Sequence, residues 1–275
     1  MKIHLSRLIK LLYTFESFIF KTGAFGRILV SAARSIAHGK IQHFYIDKDG
    51  DYVNSQRSGV VVSPVPLRSN FRKVCLRVRN SWLVDYMIQP GDIVFDIGAG
   101  IGEETVVFAR YVGTNGRVFS FEANPRTARC LAKTVRMNEL DCVEIIVAAV
   151  MERSGRIMMT NDVAHDQSSL FVTKGQSAVE VQAITLDEFV ESKAIHHIDL
   201  LKMNIEGAEK PALLGFQRNF GCVRNVAIDC HDWIADLGHS ESYRTLEFVH
   251  NFLESQGFIV HRRANYQITG LRPKK

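Results

Sequence analysis

Apolar positions recur at helical spacing from the start of the chain. Leu5, Leu8, Ile9, Leu12, Phe15 and Ile19 form one stripe, which Gly23 breaks. Phe25, Ile28, Leu29, Ala32, Ala33 and Ile36 form a second, ended by Gly39. Basic residues fill much of the rest, so two amphipathic helices are predicted. Such helices either lie on a membrane surface or a partner, or pack on the protein's own core with Lys and Arg in water. Residues 41–80 hold short β-like runs, His43–Ile46 and Gly59–Val62, split by Asp49-Gly50 and by Pro64 and Pro66. From residue 81 strands and helices alternate. The pattern predicts helices over 82–88, 103–111, 127–138, 186–192, 208–216 and 242–256. It predicts strands over 93–96, 117–122, 143–150, 199–205, 223–229, 258–261 and 267–269, with one or two hairpins over 155–182. This βαβα succession predicts an α/β fold: a mainly parallel Rossmann-like sheet with helices on both faces. Two units follow from it: an amphipathic, basic accessory region over 1–80 and the α/β domain over 81–275.

Composition narrows the class. With 275 residues, 46% hydrophobic and 23% charged, the chain reads as globular, large enough to need no disulfide or metal staple. No uncharged apolar run reaches the length of a spanning helix. The five cysteines, Cys75, Cys130, Cys142, Cys222 and Cys230, are scattered and form no CxxC pair. That pattern opposes a secreted disulfide framework and a zinc ribbon and fits reduced thiols in a cytoplasm. Net charge is +5, but residues 1–40 carry seven Lys/Arg against Glu16 alone, so the remainder is close to neutral. The expected location is cytoplasmic, with peripheral contact at the inner membrane face through residues 1–40 as one reading of the basic stripes. Nucleic acid is not expected as a partner, because the α/β part is near neutral and lacks a base-flipping motif of the Asn/Asp-Pro-Pro-Tyr type.

The strongest chemical signal is Val94-Phe95-Asp96-Ile97-Gly98-Ala99-Gly100-Ile101-Gly102-Glu103. An apolar strand ends in an acid, then glycines at every second position open a helix. A dinucleotide fingerprint places its third glycine one position later and sets the pyrophosphate on the helix N-terminus. Acids at 96 and 103 would repel a pyrophosphate. They suit a cofactor that carries a sulfonium and an ammonium group instead, and S-adenosylmethionine is one. A second strand, Phe119–Glu122, ends in an acid 26 residues after Asp96, placed to accept hydrogen bonds from ribose hydroxyls. Ala123 and Asn124 then pass beside the adenine. The cofactor-binding set is therefore Asp96, Gly98, Gly100, Gly102, Glu122, Ala123 and Asn124.

From about Pro90 to Phe258 the chain resembles the FkbM family of S-adenosylmethionine-dependent methyltransferases. The resemblance is carried by Asp96–Gly102, Phe121–Pro125, Ala148-Ala149-Val150, Ile184–Phe189 and Asp199–Glu209. The first two blocks are general to class I methyltransferases; the Leu-Lys-x-x-Ile-Glu-Gly-Ala-Glu block is far more specific. The resemblance implies a class I methyltransferase fold and O-methylation of a hydroxyl on a sugar, glycan, glycolipid or natural product. Asn204 stands where the family often has Asp, and an amide can still orient the cofactor's methionine end. By analogy with the family, Ser168-Ser169-Leu170-Phe171 falls near the acceptor.

A hydroxyl is a poor nucleophile until a base takes its proton. Glu206 follows the strand over 199–205, and His231 and Asp232 follow the strand over 223–229, so these three are the candidate catalytic residues. Each also has a structural reading: His231 bonded to a backbone carbonyl, Asp232 as a helix cap, Glu206 as a partner of Lys202. Asp229, His231 and Asp232 do not have a diagnostic metal spacing, and no metal is expected. Two other classes stay open, a nicotinamide-dependent oxidoreductase and a non-catalytic scaffold or adaptor of the same fold.

Overall fold

The computed structural model describes residues 23, 26, 28–29, 31–32, 42–66, 70–160 and 178–273. The basic stripes of residues 1–40 lie outside these residues but for isolated positions, and Ser168–Phe171 lies wholly outside them. Among the described residues no helix is long and apolar enough to cross a membrane.

The central sheet has seven strands. In chain order they are β4 (Ile93–Ile97), β5 (Arg117–Phe121), β6 (Val143–Ile146), β10 (Ile198–Met203), β11 (Val223–Asp229), β12 (Ile259–Arg262) and β13 (Gln267–Leu271). Their spatial order is β12-β13-β11-β10-β4-β5-β6. The pairs β6/β5, β5/β4, β4/β10 and β10/β11 are parallel, while β13 runs antiparallel to both β11 and β12. This is the class I methyltransferase arrangement. The strand order reverses between β4 and β10, and ligands of such sheets sit beyond the strand C-termini at that switch point.

Strand residues alternate between two cores, because successive side chains leave opposite faces. Val94, Val118, Leu200 and Ala227 join one cluster with Phe71 and Val74 of α1 (Phe71–Arg77) and Val106 and Phe108 of α2 (Glu103–Val112). Phe95, Phe119, Leu201 and Val226 join the other with Phe189 of α4 (Leu186–Ser192), Leu213 of α5 (Glu209–Leu214) and Val249 of α7 (Leu246–Ser255). Both faces are covered, which is why these strands read as continuous apolar runs.

Residues 42–63 form an antiparallel meander, β1 (Gln42–Ile46), β2 (Tyr52–Gln56) and β3 (Gly59–Ser63). It packs on α3 (Pro125–Met137): Thr134 Oγ1 accepts from Val62 N at 3.0 Å, and Asn138 Oδ1 accepts from Val60 N at 3.0 Å. Lys133 Nζ lies within 2.8 Å of Asp47, Asp49 and Asp51. Val53, Val61, Val78 and Trp82 share a core with Val94 and Val106. The expected division at residue 80 therefore passes through a continuous core.

Three local expectations differ. The helix predicted over 82–88 lies earlier, as α1 capped by Asn70 and extended by a π-turn over Val78–Trp82. Beyond it, Asp85 bonds far along the chain to Arg263, His261 and Thr269, and Tyr86 Oη donates to nearby Asp92. The strand predicted over 143–150 is two strands. β6 ends at Ile146, and β7 (Ala149–Val150) pairs with β9 (Ala178–Ile184), which also pairs with β8 (Gly155–Thr160) as a hairpin. The helix predicted from residue 242 starts at Leu246, where the Asp232 carboxylate caps it.

Candidate active site

The C-terminal ends of β4, β5, β10 and β11 open on a cavity of about 560 Å³. Gly98 begins its floor. Its backbone is left-handed, with φ +78°, and a Cβ there would lie 2.0 Å from the carbonyl oxygen of Asn204. Only glycine permits that approach of the β4 and β10 ends. Gly98 N and Ala99 N both donate to Phe121 O, at 3.0 and 2.9 Å, tying the turn to β5. Gly100 N donates to Glu122 Oε2 at 2.9 Å, and Asn124 N donates to Glu122 Oε1 at 2.8 Å. Glu122 is thus fixed by two amides with lone pairs to spare. Burial pushes its carboxyl up to about 7, and those two amides oppose the rise.

Several expected cofactor residues stand behind the wall rather than on it. Asp96 is fully buried and does not line the cavity. Thr105 Oγ1 donates to its Oδ2 at 2.6 Å, and Lys202 Nζ lies 2.9 Å from its Oδ1. Lys202 also pairs with Glu104 at 3.2 Å and donates to Gly98 O at 2.9 Å. Asp96 therefore acts on the glycine turn through Lys202. Gly102 faces the core, where a Cβ would meet Leu131 Cδ1 at 2.6 Å. The Asn124 side chain caps α3, accepting from Arg126 N at 2.9 Å. Gly98, Gly100, Glu122, Ala123 and Asn204 do line the cavity. Asn204 Oδ1 is buried and meets no donor among the described residues.

The other side of the cavity is built on the ends of β10 and β11. Glu206 lines the cavity and holds a left-handed backbone, φ +53°, directly before Gly207. His231 is buried between two carboxylates: its Nδ1 donates to Glu209 Oε1 at 2.8 Å, and its Nε2 lies 3.5 Å from Glu206 Oε1. Burial works against the imidazolium, but the bonds to Glu206 and Glu209 outweigh it and raise its pKa to about 10. The ring is a cation at neutral pH. Glu209 is itself fully buried and accepts from Thr245 Oγ1 at 2.9 Å. Asp232 does not line the cavity; it lies in the first turn of the helix Asp232–Asp236, whose N-cap is His231, and its Oδ2 accepts from Thr245 N and Leu246 N, both at 3.0 Å, so it caps the distant α7 and not its own helix. Lys202 pairs with Asp96 and Glu104, so Glu206 is not its partner.

Two residues without an assigned role in the sequence reading belong here. Asp229 closes β11 and lines the cavity, and burial raises its pKa to about 6. Its position three residues before Asp232 at a strand end was the available signal. Glu209 is the other; it stands in the same Glu-Gly-Ala-Glu block as Glu206. Among the described residues no group of three or more His, Cys, Asp or Glu is arranged to hold a metal ion.

The walls fit S-adenosylmethionine. Among the described residues, Glu103, Glu104, Glu122, Glu206 and Asp229 line the cavity against one cation, Arg77. That balance opposes a pyrophosphate and suits a sulfonium and an ammonium group. The orphaned Asn204 Oδ1 awaits a donor of the same kind.

The family described as the methyltransferase FkbM domain matches residues 96–260. Two curated relatives are similar. 2-O-methyltransferase NoeI of Sinorhizobium fredii is 23% identical over 168 residues, covering 54% of this chain and 68% of that protein. Hexuronic acid methyltransferase AglP of Haloferax volcanii is 23% identical over 148 residues, covering 52% of this chain and 57% of that protein. Among solved structures, the methyltransferase FkbM from Methylobacillus flagellatus superposes with a TM-score of 0.46 at 16% identity, covering 68% of this chain and 45% of that one.

Proposed function

The chain belongs to the FkbM methyltransferase family, and on that premise we propose that it methylates a hydroxyl oxygen of a sugar, free or within a glycan, glycolipid or natural product. S-adenosylmethionine supplies the electrophilic methyl group when bound. The observation that carries the reading is a pair of carboxylates facing one cavity, Glu122 just after β5 and Asp229 at the end of β11. Glu122 receives the ribose hydroxyls on oxygens already oriented by Gly100 N and Asn124 N. Asn204 orients the methionine end. Asp229, with a pKa about 6, is ionised at neutral pH and still basic enough to take the proton of the attacking hydroxyl. His231 is not that base, because it is already protonated; its charge, shared by Glu206 and Glu209, fixes Glu206 at the cavity edge. Asp232 contributes by capping α7. The sugar assignment is supported by the two curated relatives, one named for 2-O-methylation and one for a hexuronic acid.

The test is incubation of the purified protein with S-adenosylmethionine and a panel of methyl glycosides and glycuronides, read by mass spectrometry for one added methyl group. O-methylated sugar supports the reading; methylation confined to non-sugar hydroxyls, or to nitrogen, overturns it. Asp229→Asn lowers kcat about 10²–10⁴-fold with little change in cofactor affinity. The basic segment 1–40 suits a lipid-linked acceptor at the inner membrane face, each basic residue adding about 1 kcal/mol at an anionic surface. Salt-sensitive sedimentation with anionic vesicles, lost on deleting residues 1–40, tests that placement.

A further inference from the structure

The family match begins at residue 96, yet the cavity wall includes Arg77, Ser81 and Trp82. These come from α1 and its π-turn, whose i→i+5 bond from Leu83 N to Val78 O measures 3.1 Å. Such turns recur at functional sites. Arg77 reaches the N-terminus of α2, with Nη2 3.2 Å from Glu103 Oε2 and Nε 3.3 Å from Glu104 Oε1. Trp82 Nε1 donates to Glu104 Oε1 at 2.8 Å, and Lys202 Nζ sits 5.2 Å from the Trp82 ring centroid. Glu103 and Glu104 are largely covered, whereas the Arg77 side chain is 52% exposed.

The local charges are three carboxylates, Asp96, Glu103 and Glu104, against Lys202 and Arg77. One negative charge is left over. A neutral zwitterion can be accommodated there if its ammonium meets the acids and its carboxylate meets a cation. Lys202 is buried and saturated by Asp96, Glu104 and Gly98 O. Arg77 is different. Its two bonds use only part of a five-donor guanidinium, and its exposure leaves it free to turn. Glu103 and Glu104 stand in the first turn of α2, after the glycines, whereas Glu122, where the ribose belongs, follows β5 and holds Gly100 N; this corner is therefore free to receive the other end of the cofactor.

We infer that Arg77 binds the α-carboxylate of the cofactor's methionine moiety, while Glu103 and Glu104 take its ammonium group. The ammonium replaces Arg77 on the acids and releases the guanidinium for the carboxylate. A segment before the matched domain therefore completes the cofactor site. The inference rests on the cofactor and not on the proposed acceptor.

Isothermal titration with three ligands tests it without any turnover. S-adenosylhomocysteine has both amino-acid groups, decarboxylated S-adenosylhomocysteine lacks the carboxylate, and 5′-methylthioadenosine lacks both. Arg77→Ala weakens S-adenosylhomocysteine about 10–100-fold, the loss expected of a charge-assisted pair. It weakens neither of the other two: 5′-methylthioadenosine stays within about twofold of its wild-type affinity, and decarboxylated S-adenosylhomocysteine binds as well or more tightly, because its ammonium no longer has to displace Arg77 from the acids. Arg77→Lys recovers part of the loss. Equal weakening of all three ligands shows that Arg77 only shapes the turn and overturns the inference. So does unchanged affinity for all three, including the case where Arg77→Ala raises only the KM of a uronide acceptor. Failure of the sugar assay leaves these affinities untouched, so the two readings fail separately.

Discussion

Glu122 makes cofactor binding sensitive to pH near neutrality. Its carboxyl is half-buried at the end of β5, and burial raises its pKa to about 7 despite the amides of Asn124 and Gly100. Ribose hydroxyls donate to the ionised form, so a proton on Glu122 competes with the ligand. The affinity is full above pH 7 and is lost as pH falls through it. At pH 6 about a tenth of the free protein is ionised, and at pH 5 about a hundredth. The Kd therefore rises about 10-fold and then about 100-fold, the second figure equal to about 2.7 kcal/mol. S-adenosylhomocysteine is the right probe, because it lacks the sulfonium that would also sense Asp229. Titration at pH 6 in buffers of different ionisation enthalpy should show close to one proton released per ligand bound. Glu122→Gln should bind more weakly at pH 8 and show a flat profile between pH 5 and 8. A wild-type Kd constant from pH 6 to 8, or a slope that survives in Glu122→Gln, refutes the assignment.

Gly98→Ala places a Cβ 2.0 Å from the Asn204 carbonyl in a left-handed backbone; a loss of about 3 kcal/mol or more in urea unfolding is expected, and a wild-type midpoint would contradict the geometry. Lys202→Met leaves Asp96 and Glu104 without their buried partner and should cost about 3–5 kcal/mol, part of which Asp96→Asn in the same chain restores; a loss below about 1 kcal/mol counts against the network. His231, raised to about 10 from 6.5, stabilises the fold fully below pH 6.5 and loses that contribution as pH rises toward 10. Stability should fall by up to about 1.4 kcal/mol per pH unit across this window, and His231→Gln should flatten the slope. Asp229 gives a slope of the same sign in a lower window: its carboxyl is raised from 3.8 to about 6, so stability falls as pH rises from about 4 to 6 and the full cost stays above that. Asp229→Asn should therefore melt about 1–3 kcal/mol more stably at pH 8 while losing turnover, and a destabilised variant would argue that the group is not strained by burial.

The parallel sheet and the glycine turn were legible because their causes are local. Strands covered on both faces show as apolar runs, and the close approach at Gly98 forces a glycine that the sequence prints. What was not legible depends on partners far along the chain. Asp96 reads as a cofactor ligand, but its partner is Lys202, more than a hundred residues later. Asp232 reads as a base or as the cap of the helix it opens, and only the backbone of Thr245 and Leu246 shows that it caps a helix farther along the chain. Tyr52–Gln56 is too polar to read as a strand, yet β2 is paired on both edges. His231 has an ordinary histidine pKa until Glu206 and Glu209 close around it. In each case the sequence shows the residue type and hides the neighbour that sets its role.

Of the five non-glycine left-handed residues among the described residues, Glu139, Ala194, Glu206, Asn265 and Tyr266, two border the same cavity. Glu206, Asn265 and Tyr266 hold left-handed backbones without being glycine, with φ of 53°, 60° and 64°. Glu206 and Asn265 line the cavity, from opposite sides of the β11 end. Each such residue costs about 1–3 kcal/mol, and the raised carboxyls of Glu122 and Asp229 each add a cost of about 3 kcal/mol at neutral pH. The two apolar cores offset these costs, since the strands that end in strained residues run through the best-buried part of the molecule. The arrangement has a chemical consequence. A carboxylate that burial makes reluctant to ionise gains more from a nearby cation or hydroxyl donor than a solvated one does. The groups that weaken the empty fold are thus the groups with most to gain from cofactor and acceptor, and binding energy is concentrated where the methyl group must pass.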